Sequence, residues 1–377
     1  MEDFLEPAFV YEDICRTRGC APSTTLLSLL AASPPGVLDV RGGPAPAPRL
    51  TDDDCAALGE TLEATRLGVL LASNNKFTDE GFAALLGGGR AGSLQTLDIS
   101  GNMLGPAGAA ALAATLIGSA PSLLELVLDG NALGEDGGAS VATLIEMHPS
   151  LASVRLARCE LGTSALIALS HAISKSTSLR LIDLSEPRTF SRNEETMSHI
   201  SGALRASTSI ERLVLRKHRY ASDTAVERLA DAILDNATLR ELDLSANNLG
   251  PPTGETLAKA LFDGAQLTVI QLSACRLADA GAIAFADVLA RGACVLRVLD
   301  LRNNEIGDAG IAALAAALAS PACPLEQLLV SGNPGLQSAR AGATAWGDAV
   351  SSGNVRAATD VRAYVVDGEI HCAQESF

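Results

Sequence analysis

The chain repeats one pattern of apolar and polar positions. Residues 93–116 (SLQTLDISGNMLGPAGAAALAATL) and 295–318 (VLRVLDLRNNEIGDAGIAALAAAL) both follow LxxLxLxxNxLxxxGxxxLxxxL. Ten copies recur 27 to 31 residues apart, and a weaker copy around VLDV (37–40) precedes them. The first Leu or Ile of each copy stands at positions 67, 94, 123, 151, 179, 210, 239, 267, 296 and 325. Such a period indicates a repeat architecture of stacked units.

Each copy has two parts. The LxxLxL part alternates as a short strand does, whereas Leu112 and Leu116 have the spacing of an apolar helix face. Pro106 suits the first turn of such a helix. Because one copy cannot bury its own leucines, the pattern predicts an α/β solenoid with parallel strands on one side and helices on the other. We predict an N-terminal helical cap at 1–36, the solenoid at 37–336, and a C-terminal cap and tail at 337–377 with Trp346 in its core.

The 28–29-residue period and the NxLxxxG segment resemble the ribonuclease-inhibitor type of leucine-rich repeat. This resemblance implies an α/β horseshoe with a parallel concave sheet and convex helices, and binding of other proteins through the concave face and its loops. It also implies that the Asn of each copy forms a buried structural ladder. Its members here are Asn75, Asn102, Asn131, Asn247, Asn304 and Asn333.

Four copies lack the ladder Asn and carry Cys159, Pro187, His218 and Cys275 instead. We expect the two cysteines to be buried and structural, with a thiol as a weak donor in place of the amide. The copy with Pro187 has the longest period and carries EPRTFSRNEE (186–195) after its strand. Local degeneration would explain this segment, but we favour a specialised loop that contacts a partner, since loops on rigid scaffolds often carry function.

Composition bears on partners and location. The formal net charge is −16, which disfavours nucleic acid and anionic membrane surfaces as partners. The N-terminus lacks the pattern of a secretory signal, and no apolar run reaches the about 18 residues of a membrane span. Eight cysteines occur without metal-ligand spacing, so we expect reduced thiols. These features predict a cytoplasmic protein.

Motifs for catalysis are missing. GGGRAG (87–92) fits GxGxxG, but it precedes a strand instead of following one, so a glycine-rich turn is favoured over a nucleotide site. The five histidines show no metal-ligand spacing. We therefore predict a non-enzymatic protein without cofactor, metal or small-molecule substrate.

Charged side chains concentrate on the predicted concave face of the fourth to seventh copies. Lateral neighbours predict the pairs Arg155–Asp183, Arg212–Glu241 and Lys217–Glu186, whereas Arg216 has no evident partner in its own column. The candidate protein-binding residues are Arg188, Arg192, Arg212, Arg216, Lys217, Arg219, Arg302, Asp129, Asp243 and Asp300.

Taken with the resemblance, these features favour a protein-interaction scaffold that binds through the concave face and the loop 186–195. The chain is also similar to small axonemal leucine-rich-repeat proteins, which favours a structural place in a ciliary or flagellar axoneme. The alternative is a regulator of an enzyme, either an inhibitor of a basic enzyme or a GTPase activator.

Overall fold

The structure, a computed structural model, divides the chain into two compact units, Met1–Thr189 and Phe190–Phe377. It describes residues 6–43, 49–188, 194–218, 223–337, 340–352, 355–366 and 369–375.

The first unit alternates short strands with helices, as the repeat predicts. Its strands β1 to β6 pair in parallel in chain order. They are β1 Val37–Asp39, β2 Val69–Leu71, β3 Thr96–Asp98, β4 Glu125–Val127, β5 Ser153–Arg155 and β6 Leu181–Asp183. The helices are α1 Pro7–Arg18, α2 Thr24–Ala32, α3 Asp52–Thr65, α4 Asp79–Leu86, α5 Pro106–Ser119, α6 Gly134–Met147 and α7 Thr163–Lys175. The segment at 87–92 begins with a short 3-10 turn, Gly87–Gly89, between α4 and β3.

The second unit continues the alternation. Strands β7 to β12 pair in parallel in chain order. These strands are β7 Arg212–Val214, β8 Glu241–Asp243, β9 Val269–Gln271, β10 Val298–Asp300, β11 Gln327–Leu329 and β12 Ala358–Thr359. The helices are α8 Glu194–Ala206, α9 Asp223–Asp235, α10 Pro251–Phe262, α11 Ala278–Ala290, α12 Asp308–Ala319 and α13 Ala341–Ser351. A 3-10 turn, Pro334–Leu336, and an antiparallel hairpin of β13 Val361–Val366 and β14 Glu369–Gln374 complete the unit.

The strands bury one face completely. The central residue of a strand, for example Leu97 or Leu299, is fully buried among the helices. The first and third residues point to the other face of the sheet, which we call the open face; in β3 these residues are half-buried. This alternation is what places the polar residues of each repeat at the open face.

Acidic residues at helix starts connect successive repeats. Asp79 accepts the N–H of Gly105 at 2.7 Å, and Asp279 accepts those of Gly307 and Gly310 at 2.7 and 2.9 Å. Each carboxylate therefore lies at the N-terminus of the following helix, where backbone donors and the helix dipole both stabilise a negative charge.

Two aromatic side chains anchor the terminal segments. The hydroxyl of Tyr11 accepts the N–H of Ser23, the N-cap of α2, at 3.0 Å, and burial raises the pKa of Tyr11 to about 12. Trp346 is fully buried, as predicted, and donates to the carbonyl of Val361 at 3.4 Å. α13 and the hairpin therefore share one core.

Candidate protein-interaction site

A ladder of buried amides joins neighbouring repeats. Asn131 is typical: its Nδ2 donates to the carbonyl of Ile99 at 3.0 Å, and its Oδ1 accepts the N–H of Leu104 at 3.0 Å. The other amides that donate and accept in the same way are Asn75, Asn102, Asn304 and Asn333. Asn247 donates to Leu215, but among the described residues its Oδ1 has no partner.

The two cysteines of this column replace only the hydrogen-bond donor of the amide. The thiols of Cys159 and Cys275 donate at 3.2 Å to Leu128 and Leu244, the carbonyls that an Asn would reach. Burial raises the pKa of each thiol to about 12, so both are protonated donors and not nucleophiles. His218, in the same column, is also buried.

The strand-end aspartates support the backbone. Asp98, Asp183 and Asp243 each accept the N–H of the residue two positions later, at 2.9 to 3.0 Å. This is the local turn that Asp favours. These carboxylates therefore stabilise the turn at the end of the strand, and one oxygen of each is already used by the backbone.

Two of the strand-end aspartates also hold arginines over the open face. Arg216 Nε donates to Asp243 Oδ2 at 2.5 Å, and its Nη2 reaches Gln271 Oε1 at 3.4 Å. Arg302 donates to both carboxylate oxygens of Asp300, from Nε at 3.0 Å and from Nη2 at 2.6 Å. These bonds raise the pKa of the Arg302 guanidinium above its ordinary value. Because Asp243 and Asp300 both register with Gln271, the five side chains are contiguous across β8, β9 and β10.

Burial in this group is uneven. The side chains of Arg216 and Arg302 are 51% and 39% exposed, whereas those of Asp243 and Asp300 are 5% and 4% exposed. Arg212, 44% exposed, pairs with Glu241 at 3.3 Å, as its column predicts. We call Arg212, Arg216 and Arg302 the arginine row. At these positions the open face presents cations, and the acids lie beneath two of them.

Three expectations change as a result. Arg216 has a partner, Asp243, in the next repeat and in a different column. Arg155 pairs at 3.0 Å with Asp129 of the preceding repeat and not with Asp183. Asp129 is itself 8% exposed and accepts the N–H of Ala157 at 2.7 Å, and burial raises its pKa. Asp129, Asp243 and Asp300 are therefore scaffold acids and do not offer exposed carboxylates to a basic partner.

Part of the predicted site lies outside the described residues. Arg192 and Arg219 belong to the stretches 189–193 and 219–222, which the structure does not describe. Arg188 is described and pairs with Glu160 at 2.7 Å. The pairing of Lys217 with Glu186 joins residues of different units and stays a prediction.

Comparison with known proteins supports the repeat. Residues 93–113, 235–258 and 292–315 match the model of the family described as Leucine Rich repeat. The fold is a leucine-rich-repeat solenoid. Leucine-rich repeat-containing protein 34 of Mus musculus is 29% identical over 94 residues, which is 25% of this chain and 22% of that protein. The chain therefore matches less than a quarter of the length of this relative.

Three solved structures are similar to the chain at low identity. The yeast Rad7 and Elc1 complex aligns at 15% identity over 87% of this chain and 88% of that chain, with a TM-score of 0.48. The internalin InlF of Listeria monocytogenes aligns at 13% identity over 89% and 94%, with a TM-score of 0.42. Leiomodin-1 Actin-Binding Site 2 aligns at 20% identity over 36% and 78%, with a TM-score of 0.32.

The sequence held one signal for the aspartates that end strands. Asp followed two positions later by Ser or Arg (LDIS, LDLS, LDLR) ends many of the strands, and that spacing is typical of an Asp that bonds the backbone ahead of it. Comparing charges at equivalent positions of the repeats did not reveal this backbone role of the aspartates.

Among the described helices, none has the length and apolar content that crossing a bilayer requires.

Proposed function

We propose that the chain is a non-enzymatic protein-interaction scaffold whose arginine row binds an acidic segment of a protein partner. The observation that carries this proposal is the layering of the row, with exposed guanidiniums above nearly buried carboxylates on β8 and β10. Leucine-rich-repeat proteins typically mediate protein–protein interactions, and this layering tells which charge a partner meets first.

The carboxylates make the arginines better binders. A guanidinium has five N–H donors in a fixed plane, and the bonds of Arg302 to Asp300 use its Nε and Nη2. The chain has therefore already restricted this side chain on folding, so a partner carboxylate meets donors that are largely ordered. A lysine partner would instead have to displace the arginine from Asp300.

The proposal includes the segment 186–195 as a second interaction site, separate from the arginine row. Arg188 is 61% exposed at its side chain and is held by Glu160 at 2.7 Å, so it too is an exposed arginine with an acidic partner of its own. Arg188 in the first unit and Arg302 in the second therefore share one local arrangement, an exposed arginine that is paired with an acid.

The test separates the cation from its supporting acid. Arg216→Glu alone would leave Asp243 buried and unpaired, which destabilises the fold by itself. Asp243→Asn keeps an acceptor for the N–H of Ser245 and keeps Arg216. Adding Arg216→Gln to this variant then removes only the cation.

We expect Asp243→Asn, which keeps the cation but weakens the ordering of Arg216, to retain most of the capture of the partner from the source cell. We expect the double variant to lose tenfold or more in affinity, in line with about 1.5–3 kcal/mol for a bond to a charged group. Arg297→Gln, outside the row and paired with Glu326, is the matched control and should bind normally. Equal capture by all variants with equal melting temperatures would exclude the row as the site.

The place of the scaffold in the cell is a further part of this proposal. The sequence resemblance supports a ribonuclease-inhibitor type of repeat and a structural place in a ciliary or flagellar axoneme. Fractionation of the source cell followed by salt extraction tests the latter, because an axonemal component stays with the cytoskeleton at low salt. Stimulated GTP hydrolysis or inhibition of a ribonuclease by the purified chain would instead favour the alternative, an enzyme regulator.

A further inference from the structure

The end of α1 brings two cysteines together. Gly19 follows the helix in the left-handed region, with φ of 70°, and its N–H bonds the carbonyl of Arg16 at 3.2 Å. The N–H of Cys20 bonds the carbonyl of Cys15 at 3.0 Å. These two bonds define a Schellman motif, in which the side chains at the positions of Cys15 and Cys20 frequently contact each other. The motif normally places an apolar pair there, and this chain places two thiols.

The contacts of the sulfurs agree with the backbone. Cys20 Sγ lies 3.6 Å from the carbonyl oxygen of Cys15, and the Cys20 thiol is near enough to contribute to the raised pKa of Cys15. A disulfide can join only cysteines whose side chains are close neighbours. The cap brings the sulfur of Cys20 against the backbone of Cys15 and so makes the two side chains neighbours.

Exposure divides the roles of the pair. Cys20 is exposed, whereas Cys15 is 1% exposed and contacts Tyr11. An oxidant in solution therefore reaches Cys20 first, and Cys15 is placed to react with the product.

We propose that Cys15 and Cys20 are an oxidisable pair whose disulfide locks the end of α1. With glutathione disulfide as oxidant, the thiolate of Cys20 attacks one sulfur and releases one glutathione thiolate. The thiolate of Cys15 then attacks Cys20 Sγ and releases the second. The protein loses two protons and two electrons, and one glutathione disulfide becomes two glutathione thiols. Burial raises the pKa of Cys15, so the second step is the slower one.

The bond would restrain a segment that packs on the first repeats. Arg18, in the last turn of α1, pairs with Glu60 of α3 at 2.5 Å, and Tyr11 anchors the start of α2. Oxidation is therefore expected to stabilise this end of the first unit. The arginine row belongs to the second unit, so the pair is measured independently of partner binding.

Trypsin provides a direct readout on the full chain. Arg16 and Arg18 lie between the two cysteines, so cleavage separates peptide 1–16 from peptide 19–41 unless a disulfide joins them. The chain is equilibrated in buffers of reduced and oxidised glutathione, quenched with N-ethylmaleimide, digested and analysed by mass spectrometry. We expect the oxidation constant of the pair to be tenfold or more larger in native buffer than in urea. An equal or smaller constant in native buffer would overturn the proposal, because the fold would then contribute nothing to pairing.

Cys294 and Cys323 provide a matched internal control in the same digest. Both are half-buried, they lie in successive repeats, and Arg297 and Arg302 separate their peptides. Joined peptides for Cys15 and Cys20, at a glutathione ratio that leaves Cys294 and Cys323 reduced, support the proposal; equal yields for both pairs contradict it. Cys15→Ser should trap Cys20 as its mixed disulfide with glutathione, and a failure to accumulate this adduct would refute the role of Cys20.

Discussion

Asn304 offers the sharpest test of how the repeats are held together. The side chain is fully buried, and its Nδ2 donates to the carbonyl of Leu272 at 2.7 Å. Its Oδ1 accepts the N–H groups of Cys275 and Leu277 at 3.0 and 3.3 Å. Asn304→Ala therefore removes partners from three buried backbone groups of the preceding repeat.

The magnitude follows from those three groups. A buried polar group that loses its partner costs about 1–3 kcal/mol, so for three such groups Asn304→Ala should lower the free energy of unfolding by about 3–9 kcal/mol. Asn304→Cys should cost about 1–2 kcal/mol less, because a thiol restores a donor bond. Cys275 already makes such a bond to Leu244 at 3.2 Å. The ladder itself therefore supplies the reference for the cysteine variant.

Urea unfolding of the intact chain, followed by circular dichroism, measures both variants. Repeat arrays need not unfold in one step, so the transition that responds to the variants is the one to compare. Asn248→Ala is the control, since Asn248 is exposed and contacts only the side chain of Arg276 among the described interactions. Either of two results would refute the reasoning: Asn304→Ala within about 0.5 kcal/mol of the natural chain, or Asn304→Cys no more stable than Asn304→Ala.

Three further predictions concern charge and packing. Arg41 lowers the pKa of Asp39, so this carboxylate stabilises the fold above its unfolded pKa and loses that effect as the pH falls through its folded pKa. Asp39→Asn should therefore lower the melting temperature at pH 7 and reduce the difference between the melting temperatures at pH 7 and pH 3. Burial raises the pKa of Asp129, so Asp129→Asn should melt at least as high as the natural chain at pH 7, and the reverse order would contradict these shifts. Gly254→Ala would place a Cβ 2.5 Å from the Cα of Gly281 and should cost about 1–3 kcal/mol in urea unfolding. Gly202→Ala, with nothing within 4 Å, should stabilise α8 by about 0.5–1 kcal/mol; equal effects of the two would argue against close packing of α10 on α11.

The sequence was sufficient for the fold because its repeat fixes both element type and neighbour. The apolar alternation around Leu97 marks a strand, and a constant period places equivalent strands side by side. The pairing of Arg212 with Glu241 followed from the same register. The period therefore predicts which backbone positions lie side by side and which face of the sheet each side chain starts from.

The direction of long side chains does not follow from the period. An arginine extends further than the about 4.8 Å between strands, so it can reach either neighbour. Arg155 leans back to Asp129, and Arg216 leans forward to Asp243 and Gln271. Which neighbour is chosen depends on where a carboxylate is already fixed by backbone donors, and the column pattern does not contain that information.

This dependence changes what the net charge of −16 says about a partner. Several of the acids accept structural hydrogen bonds from backbone N–H groups. Asp279 accepts one at the start of the next helix, Asp243 one in the turn after its strand, and Asp129 one from the next repeat. A carboxylate that is nearly buried and already accepts backbone N–H groups has little left to offer a basic partner. Arg216 and Arg302 keep their outer surfaces exposed while their inner bonds are satisfied. An acidic chain can therefore present a binding face whose first contacts are cations, and the charge of the partner should be inferred from the exposed atoms of the arginine row and not from the composition.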